Sequence, residues 1–265
     1  FYRGRLESVK NNDPNLTRFY ALSSDVYQFS DLAWELLGGY IANNEHLESV
    51  NLSHCGLTDS KVSLLFRGLA EGTLLEELDL ERNEFGIDGI RSMVPFLKNA
   101  RSLTKLEISN NRNINTECFE LLVDALQIGG TIEFLRLCGC GIDDITALGT
   151  YSLPHLRNLD LHHNNIRSIP SLENYTNLEA LHLSNNQIGN EGCRSIAKLL
   201  QKEGTHLNLL NLYSNNLGDE DAETLAYSLK FNTVLMSLHF AGDNDIKEKG
   251  IRAFFKLLND VSSIE

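Results

Sequence analysis

One frame, LxxLxLxxNxL, recurs along the chain and limits what the chain can fold into more than any other feature. It reads LESVNLSHCGL from Leu47, LEELDLERNEF from Leu75, LTKLEISNNRN from Leu103 and IEFLRLCGCGI from Ile132. It continues as LRNLDLHHNNI from Leu156, LEALHLSNNQI from Leu178, LNLLNLYSNNL from Leu207 and LMSLHFAGDND from Leu235. A weaker unit, LTRFYALSSDV from Leu16, fits if Phe19 and Ala21 stand for leucines; successive starts then differ by 31, 28, 28, 29, 24, 22, 29 and 28 residues. Units of this length cannot bury an apolar face alone, so they must stack and share a continuous core.

Within each unit, alternation places Leu78 and Leu80, Leu159 and Leu161, or Leu181 and Leu183 on one strand face, pointing into the stack. Asn83, Asn111, Asn164, Asn186 and Asn215 recur at one position, where a buried amide can satisfy the main chain of a turn that lacks ladder partners. Between strands, 86–100 and 190–204 carry apolar residues at helical spacing, Ile90, Met93, Val94 and Leu97 in the first. The two short units leave too few residues for full helices, so helix should thin out near 144–176.

These units resemble the leucine-rich repeat superfamily over roughly 16–260. The longer ones are similar to its ribonuclease-inhibitor-like subclass, and 215–238 resembles repeats of NOD-like receptors and Ran GTPase-activating proteins; 162–181 resembles the compact intracellular type. The resemblance implies an α/β fold, a right-handed solenoid or horseshoe with parallel strands on the concave face and helices on the convex face. The expected organisation is a single repeat domain over 1–265. It comprises an N-terminal extension 1–15, a weak first repeat 16–46, regular repeats 47–246 and a C-terminal helix and end 247–265, with Phe254, Leu257 and Leu258 in the core and a strand beginning at Val261 to Ile264. A first residue other than Met suggests a fragment or a processed chain.

Charge and motif content narrow the function. Against 36 acidic side chains stand 23 basic ones, a net charge of −13, which argues against nucleic acid or a membrane surface and favours a partner with a basic patch. No apolar run is long enough to span a membrane, and 1–15 lacks a signal peptide's apolar core. Cys55 and Cys140 occupy the asparagine position, Cys118 and Cys193 fall on helices, and Cys138 faces outward, so neither a disulfide nor a metal is assigned; free buried thiols suit the reducing cytoplasm. With no phosphate loop, nucleophile elbow or HExxH motif, no enzymatic activity and no cofactor are expected.

Function then rests on the outward strand positions, which line up as columns across a parallel sheet. The column between the two strand leucines reads Tyr20, Asn51, Asp79, Glu107, Arg136, Asp160, His182, Asn211, His239. In the first half, Glu77, Asp79, Glu81 and Glu107 form an acidic cluster partly balanced by Arg82 and Lys105, while Arg136 is placed to pair laterally with Glu107 and Asp160. In the second half, Phe134, His162, His163, His182, Tyr213 and His239 form a less charged aromatic strip of the sort that supplies interface anchors. Asp160, His162 and His182 are close enough to raise a metal site, with ordinary lateral hydrogen bonds as the alternative. The expected function is non-enzymatic recognition of a partner protein on the concave face. The alternatives are regulation of a small GTPase, or service as the sensor or autoinhibitory repeats of a larger receptor-like chain or assembly.

Overall fold

A computed structural model describes residues 2–26, 28–69, 74–230, 232–242 and 244–262, and the chain divides into two compact units, Phe1–Gly141 and Ile142–Glu265. The first unit begins with α1 (Tyr2–Lys10), β1 (Arg18–Tyr20), α2 (Ser23–Val26) and α3 (Asp31–Ala42). Strands and helices then alternate as β2 (Ser49–Asn51), α4 (Asp59–Gly68), β3 (Glu77–Asp79), α5 (Ile87–Asn99), β4 (Lys105–Glu107), α6 (Thr116–Gly129) and β5 (Phe134–Arg136). Neighbouring strands are parallel and in register, Leu78 beside Leu106 and Leu106 beside Leu135. Leu78, Leu80, Leu106, Ile108, Leu135 and Leu137 are all buried, each removal from water contributing about 1.5–3 kcal/mol. Ile90, Met93 and Leu97 of α5 close over that layer, whereas Val94 is half-buried.

The second unit opens differently. Between Ile142 and Ala180 the helix found among the described residues is the single turn α7 (Ala147–Thr150), which is the thinning that the short units predict. Ile145, Leu148, Leu153, Ile166, Ile169 and Leu172 fill this stretch in place of a helix face. The Tyr175 hydroxyl donates toward the carbonyls of Leu148 and Tyr151 at 3.0 Å, and burial pushes its pKa up. Beyond β6 (Asn158–Asp160) and β7 (Ala180–His182), long helices return: α8 (Gly189–Gln201), β8 (Leu209–Asn211), α9 (Asp219–Ser228), β9 (Ser237–His239) and α10 (Glu248–Ser262). These strands too are parallel, Leu159 beside Leu181 and Leu181 beside Leu210. Among the described residues no helix is long and apolar enough to cross a membrane.

The recurrent asparagine does in both units what its position predicts. Asn111 donates to the carbonyls of Leu80 and Ile108 at 3.0 and 2.7 Å and accepts from the Asn83 N–H at 3.1 Å. Asn186 donates to Leu161 and Leu183 at 3.0 and 2.9 Å and accepts from the Ile166 N–H at 3.0 Å. Where cysteine replaces asparagine its thiol takes over the donor role, Cys55 to the carbonyls of Ala21 and Ser53, Cys140 to those of Ile108 and Cys138. Burial pushes the Cys140 thiol up to about 12, so it stays protonated and able to donate.

Three expectations need correction near the C-terminus. The frame puts Asp243, which lies outside the described residues, at the asparagine position. Asn244 fills that role instead, donating to Leu212 and Phe240 and accepting from Asn215 N–H at 2.6 Å, because the last turn carries one more residue. Phe254 and Leu257 are half-buried rather than core, since no further helix packs over α10 among the described residues; the side chain of Leu258 lies outside them. Finally, α10 runs on through Ser262, so no strand begins at Val261, and Ile264 lies outside the described residues.

Candidate partner-binding face

The outward strand positions of the first unit come together as two columns. Ser49, Glu77, Lys105 and Phe134 stand side by side in one, and Asn51, Asp79, Glu107 and Arg136 in the other. Lys105 Nζ lies 3.9 Å from Glu77, and Arg136 lies 3.8 Å from Glu107, both weak pairs; Glu81 is held at 3.0 Å by Arg82 and by the Asn110 amide. Asp79 is bound by neutral donors, the Asn51 amide at 2.6 Å and the Glu81 N–H at 2.9 Å. Burial raises the pKa of both Asp79 and Glu107, with the charge of Glu81 adding to the first and that of Asp79 to the second. The cluster is thus real in space and incompletely neutralised.

The middle column has a second duty that its polarity alone does not reveal. The side chains of Asn51, Asp79 and Glu107 each accept the N–H two residues ahead, from Ser53, Glu81 and Ser109 at 2.9, 2.9 and 3.0 Å. These bonds cap the strand end in the manner of an Asx turn. Glu107 is 9% exposed and is chiefly such a cap, so Glu77 and Glu81 are the more accessible carboxylates. Arg136 cannot accept, and there the Cys138 N–H is taken by Ser109 Oγ at 2.9 Å, while Arg136 Nε is buried without a hydrogen-bond partner. The sequence signal was an acceptor residue two positions before each turn.

In the second unit the same column reads Asp160, His182, Asn211 and His239. Asp160 and Asn211 repeat the cap, accepting from His162 and Tyr213 N–H at 3.2 and 3.1 Å. Asp160 also binds His162 Nδ1 at 2.5 Å. Burial works against its ionisation, but the hydrogen bond and charge of His162, the main-chain N–H and the charge of His182 together hold its pKa below the ordinary value. The His162 ring stands edge-on to His163 at 5.2 Å, and His239 Nε2 is 2.9 Å from Ser237 Oγ. Among the described residues no group of three or more His, Cys, Asp or Glu is arranged to hold a metal ion.

Tyr213 is 46% exposed and is seated by a residue the sequence reading passed over. Gly242 has φ +86°, and a Cβ there would lie 2.6 Å from Tyr213 Cζ and 2.7 Å from Ser214 Oγ. The ring lies where a side chain at position 242 would be. Phe134, by contrast, is half-buried in the first unit beside Lys105.

Known proteins share parts of this pattern. A family model for leucine-rich repeats in two copies matches residues 154–191, and one for a single leucine-rich repeat matches 43–61 and 205–226. The mouse protein "NACHT, LRR and PYD domains-containing protein 5" is 26% identical over 216 residues, 77% of this chain and 18% of that protein. Human lumican is 30% identical over 158 residues, 58% of this chain and 41% of lumican. The chain therefore spans less than half the length of either relative. Among solved structures, leiomodin-1 actin-binding site 2 is similar with a TM-score of 0.45 at 21% identity, over 54% of this chain and 80% of that one. An internalin from Listeria monocytogenes is similar with a TM-score of 0.47 at 22% identity, over 82% of this chain and 55% of that one.

Proposed function

The chain is a leucine-rich repeat protein, and we propose that it is a non-enzymatic recognition module that binds a partner protein on the outward face of its strands. The observation that carries this reading is the carboxylate cluster of the first unit, where Glu77, Asp79, Glu81 and Glu107 stand together on neighbouring strands and Lys105 and Arg136 lie 3.9 and 3.8 Å from Glu77 and Glu107. Charge that a fold leaves uncompensated is charge a cationic partner can neutralise, which favours a basic helix or loop against Glu77, Asp79, Glu81 and Glu107. Phe134 and Arg136 flank that site. Asp160, His162, His182, Tyr213 and His239 offer a second, nearly neutral contact region with aromatic area and polar tips. Five cysteines, none of them in a disulfide and four of them buried, support placing the protein in a reducing, intracellular compartment.

The test is cross-linking capture of the partner from the source cell with wild-type protein and with a Glu77→Lys/Glu81→Lys variant. These two carboxylates are chosen because neither caps a strand in the way Asp79 and Glu107 do. Loss of capture with unchanged thermal stability is expected; undiminished capture overturns the acidic site. A second reading, sensor or autoinhibitory repeats within a longer receptor-like chain, is favoured by the match to 18% of the mouse relative. The full reading frame decides it.

A further inference from the structure

We propose a second docking surface, a groove between α9 and α10 that takes an acidic amphipathic segment of another protein. It is separate in residues and opposite in charge from the strand-face cluster and does not depend on it. The groove encloses about 560 Å³, within the range of ligand-sized clefts, and Ala226, Ala253 and Leu257 form an apolar lining. Tyr227 stands at its side, 71% exposed, a large apolar ring with a polar tip held outside the core.

Charge identifies the occupant. In a chain of net charge −13, this groove is lined by Lys230, Lys249, Arg252 and Lys256 against the single carboxylate Glu223. Lys249 spends part of its charge on Glu223 at 3.2 Å, and Arg252 pairs with Glu248 one helical turn earlier. Both pairs are exposed, so they weigh little and can be exchanged for a partner's carboxylates. A segment with one apolar side chain for the alanine-lined floor and Asp or Glu on either side satisfies both features. Helix-in-groove docking presents side chains at that spacing. A basic segment is repelled, and a purely acidic one leaves Tyr227 and the apolar floor unused.

The probe is a fluorescein-labelled helical peptide of about 15 residues with Leu and Phe on one face and Glu on the flanks. Fluorescence anisotropy should show saturable binding to the whole chain that disappears when salt shortens the Debye length to about 3 Å. Lys230→Glu/Lys256→Glu should weaken it at least about tenfold, Tyr227→Ala should weaken it less, and Glu77→Lys/Glu81→Lys should leave it unchanged. Circular dichroism of the two groove variants should match wild type, since all three side chains project from the fold. In the Glu77→Lys/Glu81→Lys background, where the strand-face cluster is reversed, equal binding of a peptide with Lys in place of Glu overturns the proposal, as does binding of the Glu peptide that survives the double charge reversal in the groove. So does binding of phosphatidylserine vesicles without binding of the peptide, or concentration-dependent self-association abolished by Lys256→Glu, which would assign the groove to a membrane or to a second copy.

Discussion

Asp79 and Glu107 in the first unit and Asp160 in the second occupy the same place in the repeat and accept the same main-chain N–H two residues ahead, yet their pKa values move in opposite directions. All three are penalised by burial. The difference lies in the neighbour that alternation sets beside them: Glu81 and Asp79 add negative charge to the first pair, whereas His162 donates to Asp160. The cap is therefore a property of the repeat, and the electrostatics are a property of the variable position next to it. The first unit's pair keeps like-charged neighbours, whereas the second unit's carboxylate has a histidine bonded to it.

The largest effect should come from what both units share. Asn111→Leu and Asn215→Leu each strand two or more buried main-chain groups, so each should cost about 3 kcal/mol in urea unfolding, with little difference between units. Asn111→Cys should cost less, because Cys55 and Cys140 already donate from that position. A large disparity between the two leucine variants would show that the ladder is not equivalent in the two units. Gly242→Ala comes next. It combines a left-handed backbone with collision against Tyr213, and should cost about 1–3 kcal/mol and displace that ring, visible as a change in tyrosine fluorescence.

Much of this was legible in the sequence, for physical reasons. Leucines at alternating positions have one way to face a core, and a polar amide repeated among them has to be serving the main chain, so Leu78, Leu80 and Asn83 announce strand, face and turn together. The caps were less legible. Asn51, Asp79 and Asp160 look the same whether they await a partner or bind their own turn, and the direction of a hydrogen bond is not written in residue type. The left-handed position before the ladder residue was only partly legible, since Asn110, Gly139 and Asn185 tolerate it but His54, Arg82, His163 and Ser214 adopt it too, with φ of 53–57°. At those four, tertiary hydrogen bonds impose a conformation that residue preference does not.

The pH dependence sharpens the comparison of the carboxylates. A carboxyl whose folded pKa is raised contributes stability below its unfolded value, and that contribution is lost as pH rises through the folded value. For Asp79 and Glu107, acidification from neutrality toward the ordinary carboxylate range should therefore favour the folded state. A lowered carboxyl does the reverse: the contribution of Asp160 is present above the ordinary range and is lost as pH falls through its folded value. In melting curves between about pH 7 and pH 3, Glu107→Gln should flatten the rise on the neutral side and Asp160→Asn should reduce the fall on the acid side. If both variants shift the same limb, the two carboxylates are not opposed.

The smallest effect tests how far the turn overrides its residues. An L-residue in the left-handed region carries a cost of about 1–2 kcal/mol that glycine escapes, but glycine loses roughly 0.5–1 kcal/mol more entropy on folding. His54→Gly, at φ 57°, should therefore gain a few tenths of a kcal/mol by this difference, its N–H still donating to the Glu81 carbonyl at 2.9 Å. Asn185→Gly, at φ 56°, should gain nothing, because asparagine already tolerates that conformation and its N–H already bonds to the Tyr213 carbonyl at 2.8 Å. Paired thermal melts resolve the contrast. A gain at both positions would mean that the ladder holds even asparagine under strain there, and a loss at His54 would mean that its side chain, whose charge acts on Asp79, supports the first unit's face.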